Sequence, residues 1–230
     1  MVSVRFTDLG LIDYQEAWNY QELLFSKTIQ QKIAKRNGEE SHVTQNHVLF
    51  CQHPHVYTLG KSGKENHLLL SENRLTELNA RFYKINRGGD ITYHGPGQLV
   101  VYPILDLDYF FSDIHKYLRY LEEAVILTLA EYGIIGERSP GLTGVWLDPN
   151  TPLERKICAM GVKCSRWVTM HGIGLNVNTD LSYFNHIIPC GIEDKSVTSM
   201  EKELGKKIDF NELSVKFKKQ LSLQFNFHYE

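Results

Sequence analysis

A cysteine between proline and glycine, in the run Ile187-Ile-Pro-Cys190-Gly-Ile, is the residue of this sequence best suited to covalent chemistry. The two neighbours predict a sharp backbone turn, which can present a thiol to a cleft. A thiol is nucleophilic only as its thiolate, so it needs a nearby cation, a histidine or a helix N-terminus. The other cysteines, Cys51, Cys158 and Cys164, lie in or beside apolar runs and are predicted to be structural. Cys190 is therefore the candidate nucleophile.

One lysine and two histidines are candidate partners for this thiol. Lys156 opens an apolar run, and a lysine aimed into a closed site lowers the pKa of a neighbouring thiol and can shuttle its proton. A solvated lysine at the end of a strand is the alternative, and on the residues alone it is the more common case. His94 and His171 are the other candidate bases, because imidazole titrates near neutral pH.

A polar, glycine-rich stretch, Arg87-Gly-Gly-Asp-Ile-Thr-Tyr-His-Gly-Pro-Gly-Gln98, is a second candidate site. Glycine tolerates positive φ and allows backbone N–H groups to approach a ligand closely. Arg87, Tyr93, His94 and Gln98 could add fixed hydrogen-bonding groups beside that backbone. A wide polar hairpin loop is the alternative, although hairpin loops usually have about two to five residues. The stretch is not a phosphate-binding P-loop, because the Gly-Lys-Ser/Thr ending is absent.

The composition excludes several other classes of function. The 25 Lys and Arg residues balance 27 Asp and Glu residues, so no global basic excess points to nucleic acid. The sequence contains no run of about 18 apolar residues, so no membrane span is predicted. It also shows no basic segment followed by an apolar core, so no signal peptide is predicted. We therefore expect a cytoplasmic protein with reduced thiols. His53 and His55 beside Cys51 do not match the usual spacing of zinc ligands, so no metal site is predicted.

The elements that must position these residues mix helices with hairpin-like strands. Capping residues followed by apolar periodicity predict helices that start at Asp13 with Glu16, at Ser112, at Thr198 with Glu201 and at Asp209 with Glu212. Short apolar runs predict strands at 47–51, 56–59, 82–85, 99–105, 144–147, 156–162 and 172–178. The order of these elements predicts an α+β fold with a mixed, mostly antiparallel sheet flanked by helices. The length suits one large domain or two small ones, and we expect residues 1–230 to form a single domain.

The glycine-rich stretch and its continuation to Tyr102 resemble the signature of the lipoyl(octanoyl) transferases, the octanoyl-[acyl-carrier-protein]:protein N-octanoyltransferases. The resemblance continues in order through Val56-Tyr-Thr-Leu-Gly60, Arg155-Lys-Ile-Cys-Ala-Met-Gly161, Met170-His-Gly-Ile-Gly-Leu-Asn-Val177 and Pro189-Cys-Gly191. It spans roughly residues 50–200. It implies a fold related to the catalytic domain of the biotin and lipoate protein ligases.

The resemblance also implies particular site residues. The catalytic Cys/Lys dyad of the family falls on Cys190 and Lys156, with His171 and Tyr102 as candidate supporting residues. The acyl-binding residues fall on Arg87, Gly88, Gly89, Asp90, Ile91, Thr92, Tyr93, His94, Ala159, Met160, Gly161, Gly172, Ile173 and Gly174. Cys158 departs from the family pattern, because many relatives have a small apolar residue there, and it adds a second thiol near Lys156.

The implied activity is transfer of an octanoyl or lipoyl group, through a cysteine thioester, to the lysine of a lipoyl domain, the first step of endogenous protein lipoylation. The implied partners are octanoyl-acyl carrier protein, the lipoyl domains of 2-oxoacid dehydrogenase complexes and the glycine cleavage H protein. We expect no cofactor, no nucleic acid, no membrane and a monomer. Because both partner proteins are generally acidic, we expect a basic rim, for which Lys61, Lys64 and Arg87 are candidates.

Three alternatives remain open on the sequence. The first is an ATP-dependent lipoate or biotin protein ligase on the same scaffold, which would need no nucleophilic cysteine. The second is a module that binds acyl groups or acyl carrier protein without catalysis. The third is a Cys–His hydrolase in which His94 or His171 acts as the base.

Overall fold

A computed structural model of the chain describes residues 1–39, 43–188 and 196–230. Its strands are β1 (Val2–Leu11), β2 (Asn46–Gln52), β3 (Val56–Leu59), β4 (Arg81–Lys84), β5 (Ile91–His94), β6 (Gln98–Ile104), β7 (Val145–Leu147), β8 (Arg155–Ser165), β9 (Val168–Asn176), β10 (Ser196–Val197) and β11 (Phe227–Tyr229). Its helices are α1 (Tyr14–Arg36), α2 (Glu72–Glu77), α3 (Ile114–Ala130), α4 (Met200–Leu204) and α5 (Phe210–Phe225).

Two sheets organise these elements. In the larger sheet the strand order is β10-β8-β9-β6-β2-β1-β11, and β7 also pairs with β8; the smaller sheet has the order β4-β3-β5. The central pairs β2–β6, β6–β9 and β8–β9 are antiparallel. The pairs β1–β2, β1–β11 and β8–β10 are parallel. The predicted α+β fold with a mixed sheet is confirmed.

Helices cover both faces of the larger sheet, because the side chains of its strands alternate between two apolar clusters. In β6, Val100, Tyr102 and Ile104 belong to the cluster that also contains α1 side chains. Leu99 and Val101 belong to the cluster that contains side chains of α3 and α5. The central strand is buried on both faces, as its continuous apolar sequence predicts.

The helix starts follow the predicted capping residues with two corrections. Asp13 and Asp209 are N-caps, as predicted. Helix α3 is capped by Asp113, one residue after the predicted Ser112, because its carboxylate accepts hydrogen bonds from two backbone N–H groups. Helix α4 is capped by Ser199. The hydroxyl of the predicted cap, Thr198, donates to Glu203 instead.

The glycine-rich stretch contains a strand that the sequence did not indicate. Residues Ile91–His94 form β5, which pairs antiparallel with β3, with Ile91 opposite Leu59 and Tyr93 opposite Tyr57. The polar residues around this segment obscured its alternation. The two ends of the stretch bond to different parts of the fold: the Gly88 N–H donates to the Val162 carbonyl, and the Gly97 carbonyl accepts from the Asn178 N–H.

Candidate active site

A cavity of about 430 Å³ is lined by residues of both sheets and of helices α1 and α3. Of the residues predicted to form the site, its lining contains Arg87, Gly88, Gly89, Asp90, Ile91, Thr92, His94, Tyr102, Lys156, Ala159, Met160, Gly161, His171, Gly172, Ile173 and Gly174. The lining also contains residues that the sequence analysis did not identify, namely Tyr14, Leu118, Gly141, Leu142, Thr143, Trp146, Val162, Phe184, Ser196 and Val197. A slot of this size suits one small ligand.

Gly161 on β8 allows the glycine-rich stretch around Gly88, called the motif loop below, to lie against the larger sheet. Gly161 is paired with Gly172 across the two strands. A Cβ on Gly161 would lie 2.8 Å from the carbonyl oxygen of Gly88, and one on Gly172 would overlap the carbonyl oxygen of Val101. The Gly88 N–H donates to the Val162 carbonyl at 2.9 Å, which joins the loop to β8. A side chain at position 161 would therefore push the motif loop away from β8, and one at position 172 would disturb the packing of β9 against β6.

Arg87 braces the motif loop from within. Its side chain is buried, with 7% exposure, and its Nη2 donates to the carbonyl oxygen and the hydroxyl of Thr58 at 2.7 and 3.0 Å. Its Nη1 donates to the Gly88 carbonyl at 3.0 Å. The prediction that Arg87 contributes to a basic rim is therefore wrong, because its charge is directed into the protein. Lys61 and Lys64 are exposed.

Asp90 is held by groups on three sides. Its Oδ1 accepts from the Ile91 N–H at 2.6 Å, and its Oδ2 lies 2.7 Å from Nδ1 of His67. A Cβ on Gly63 would overlap the same carboxylate, so only glycine fits there without a shift. The carboxylate therefore fixes the motif loop, since each of its oxygens has a hydrogen-bond partner within the protein.

Tyr93 is not among the residues that line the cavity. It is fully buried in the cluster that includes Phe184. Its hydroxyl bonds to Nδ1 of His55 at 2.8 Å, and its ring stacks on Tyr183 with centroids 5.0 Å apart. Its side chain is therefore packed next to residues of the cavity wall, and the role of Tyr93 in binding the acyl group stays a prediction.

The ammonium of Lys156 is placed by an aromatic ring and by a glycine. Nζ of Lys156 lies 4.3 Å from the centroid of the Trp146 ring, a contact that attracts a cation to the face of the indole. A Cβ on Gly144 would lie 3.6 Å from Cε of Lys156. Lys156 lines the cavity, which argues against the alternative of a solvated lysine at a strand end.

Cys190 lies outside the described residues. Before it, the Ile188 N–H donates to the carbonyl of His67 at 2.9 Å, and His67 in turn contacts Asp90. After it, Val197 pairs with Lys156 in the β10–β8 ladder. The residue before segment 189–195 is thus linked to Asp90 through His67, and Val197 after the segment lies beside Lys156.

The two histidines of the cavity are weak bases. Burial lowers the pKa of His94 to about 3, helped by the nearby His53. Burial, followed by the positive charge of Arg87, lowers the pKa of His171 to about 3. A base with so low a pKa is poor at taking up a proton at neutral pH, because general bases are most effective when their pKa is near the working pH. This argues against the Cys–His hydrolase alternative.

The tautomer of His171 follows from its neighbours. The Asn86 side chain donates from Nδ2 to the Glu22 carboxylate at 3.1 Å, so its Oδ1 is the atom that faces His171. Because an amide oxygen only accepts, Nε2 of His171 donates to it at 3.0 Å. His171 also has a φ of +59°, which is unusual for a residue with a side chain. The strained backbone and the hydrogen bond together orient the ring.

Acidification is expected to destabilise the fold through the buried histidines. Burial lowers the pKa of His53 to about 4, and its ring bonds to the Ile12 carbonyl and the Tyr102 hydroxyl, each at 2.8 Å. A lowered pKa means that the unfolded chain binds the proton first, so stability is lost as pH falls from about 6.5 towards 4. In His53→Gln, urea unfolding should show a loss between pH 7 and pH 4 that is smaller by about 2–3 kcal/mol.

The exposed His228 supplies the matched control for this measurement. His228→Gln removes an imidazole from the surface and leaves the buried ring of His53 in place, so this variant should retain the pH dependence of the unmodified protein. Equal pH dependence in the His53 and His228 variants would contradict the assignment of the acid loss to His53.

Neither a membrane helix nor a metal-binding group is present in the described part of the chain. None of the helices described is long and apolar enough to cross a membrane. Within residues 1–39, 43–188 and 196–230, no three His, Cys, Asp or Glu side chains are arranged to hold a metal ion.

Comparison with known proteins gives consistent findings. The model of the lipoyl protein ligase A/B catalytic domain family matches residues 13–222. A relative in Cytophaga hutchinsonii, named octanoyltransferase, is 59% identical over 231 residues, covering 99% of this chain and 95% of the relative. A relative in Christiangramia forsetii, also named octanoyltransferase, is 62% identical over 223 residues, covering 96% of this chain and 95% of the relative.

Among solved structures, a bipartite lipoate protein ligase from Thermoplasma acidophilum aligns with a TM-score of 0.70 at 15% identity, covering 100% of this chain and 86% of that one. A likeness at so low an identity shows a shared fold, and it agrees with the mixed sheet and flanking helices described above.

Proposed function

We infer that this chain, which belongs to the lipoyl protein ligase A/B catalytic domain family, transfers octanoyl groups in protein lipoylation through a thioester on Cys190. It is an acyltransferase, as its octanoyltransferase relatives indicate over nearly its whole length. The donor that we propose is octanoyl-acyl carrier protein. The acceptors are lipoyl domains of 2-oxoacid dehydrogenase complexes and the glycine cleavage H protein.

The observation that carries this proposal is the position of Lys156 in the wall of a cavity that is lined by several glycines. The lysine ammonium lies against Trp146, and its strand neighbour Val197 follows the segment that contains Cys190. An ammonium close to a thiol favours the thiolate. The remaining lining is mostly apolar or glycine, which suits an alkyl chain: about six methylenes at about 0.8 kcal/mol each give roughly 5 kcal/mol of binding.

In the first half-reaction, the Cys190 thiolate attacks the carbonyl carbon of the donor thioester. A new carbon–sulfur bond forms to Cys190, the bond to the phosphopantetheine sulfur breaks, and that sulfur leaves as a thiolate that takes up a proton. In our proposal Lys156 supplies the charge that favours both thiolates and exchanges the proton. The Gly88 N–H is engaged by Val162, so the backbone N–H of Gly89 and those near Cys190 and Gly191 are the candidates to stabilise the oxyanion of the tetrahedral intermediate.

In the second half-reaction, the neutral amine of the acceptor lysine attacks the acyl-enzyme carbonyl. An amide bond forms, the bond to the Cys190 sulfur breaks, and the proton lost by the amine passes to Lys156 or to solvent. Exchange of one thioester for another is nearly balanced, while amide formation is downhill. We therefore propose that the reaction needs neither ATP nor a cofactor.

Intact-mass analysis of a trapped acyl-enzyme tests the proposal. The protein mixed with octanoyl-acyl carrier protein, without ATP and without acceptor, should gain the mass of one octanoyl group, and peptide mapping should place it on Cys190. Addition of a lipoyl domain should then discharge the adduct with formation of octanoyl-lysine. Octanoylation of the acceptor that requires ATP and free octanoate would instead support a ligase. Binding of the carrier without any adduct or product would support a non-catalytic module.

A further inference from the structure

The wall of the cavity beside Lys156 is a loop whose two limbs meet at a single buried carboxylate. The residues 141–143 of this loop line the cavity, and Trp146 lies at its end against the Lys156 ammonium. The carboxylate belongs to Glu122 on α3, which is fully buried. Glu122 was not among the residues that the sequence singled out.

One oxygen of Glu122 holds the second limb of the loop. Oε1 accepts a hydrogen bond from the Gly144 N–H at 3.1 Å and lies 2.9 Å from Nη2 of Arg119. Gly144 has a φ of +115°, and a Cβ at this position would lie 2.5 Å from the Cys158 carbonyl oxygen. The backbone here is therefore pressed against β8, next to the aliphatic part of Lys156.

The other oxygen of Glu122 holds the first limb. Oε2 accepts from Nε of Arg138 at 3.0 Å. The residue before it, Glu137, exchanges two backbone hydrogen bonds with Trp146, at 2.8 and 2.9 Å. The carboxylate thus connects α3 to both sides of the loop that ends in the Trp146 ring.

We propose that Glu122 is a positioning residue for Lys156, acting through Gly144 and Trp146 on the place of the ammonium. This inference rests on the proposed role of Lys156 beside Cys190. A buried carboxylate is costly unless it is paired and hydrogen-bonded, and here both oxygens are used on the two limbs of one loop. Loss of the carboxylate therefore releases the wall segment while leaving Lys156 itself unchanged.

The adjacent Glu123 provides a matched control. It also binds Arg138, with its Oε2 2.6 Å from Nη2, but its side chain is about one third exposed. In the sequence it differs from Glu122 by one position, which places it on another side of α3. Its removal weakens the same arginine contact while leaving the Gly144 bond in place.

The test is the rate of Cys190 alkylation by iodoacetamide as a function of pH, measured by peptide mapping in a Cys164→Ser background, because Cys164 is exposed. Glu122→Ala should slow alkylation at pH 7 by about tenfold to a hundredfold and move the profile to higher pH, since displacements of about 1 Å have such effects. Glu122→Gln, which keeps an acceptor for Gly144, should lose less, and Glu123→Gln should lose less than about twofold.

The outcomes separate this inference from the proposed function. A Lys156→Ala variant with an unchanged profile would overturn the proposed role of Lys156. A Lys156→Ala variant that shifts the profile, together with a folded Glu122→Ala variant that does not, would overturn only the role of Glu122. If circular dichroism shows that Glu122→Ala is unfolded, the two glutamine variants are compared instead. Slower alkylation of Cys190 in Glu122→Gln than in Glu123→Gln supports the inference, and equal alkylation rates overturn it.

Discussion

Serine in place of Cys190 is expected to reduce octanoyl transfer by on the order of 10³-fold or more, because an unactivated hydroxyl is a far weaker nucleophile than a thiolate. The fold should persist, since the change replaces one sulfur by oxygen in a residue that follows β9 and precedes β10. Transfer from octanoyl-acyl carrier protein to a lipoyl domain, followed by mass spectrometry of the acceptor, measures the effect. The same reaction mixture without acceptor should show no adduct on the variant.

The other cysteines provide the controls for this experiment. Cys51 and Cys158 are buried, and Cys164 is exposed. Burial raises the pKa of the Cys158 thiol, assisted by the nearby Glu122 charge, so Cys158 should stay unreactive despite its position two residues after Lys156. Cys158→Ala and Cys164→Ser should each retain transfer within about twofold. Full activity of Cys190→Ser would remove covalent catalysis from the proposed function.

Alanine in place of Lys156 is expected to slow acylation by about 10²- to 10⁴-fold at neutral pH, the usual range for loss of a group that transfers protons. It should also raise the pKa of the Cys190 thiol, because removal of a neighbouring positive charge disfavours the thiolate. Iodoacetamide alkylation of Cys190 against pH measures the shift, and a single-turnover assay with octanoyl-acyl carrier protein measures the rate.

Another lysine of the same strand is the matched control for Lys156. Lys163 also lies on β8, but it pairs with Glu22 at 3.1 Å and does not line the cavity. Lys163→Ala should leave the alkylation profile unchanged. A rate profile of Lys156→Ala that coincides with that of Lys163→Ala would show that the Cys190 thiolate forms without the help of Lys156.

Local patterns were sufficient to predict much of the fold. The caps Asp13 and Asp209 and the strand Val56–Leu59 were predicted from a few adjacent residues. Such features depend on short-range geometry, namely a side chain that caps its own helix and the alternation of apolar residues. The mixed sheet could also be predicted, because strands and helices do not alternate regularly along the chain. The offsets at Ser112 and Thr198 arose where two neighbouring residues could each serve as a cap.

The sequence by itself determined which chemistry is available: a cysteine in a sharp turn, one strand lysine and a glycine-rich motif typical of one enzyme family. Only the tertiary structure decided where those groups point. Arg87 is turned inward because Thr58 satisfies its guanidinium, and Trp146 meets Lys156 because β7 pairs with β8. Strand register and buried polar partners join residues that are distant in the chain. A linear pattern specifies the chemistry of each residue and the local periodicity of apolar residues. It does not specify the distances between residues that are far apart in the chain.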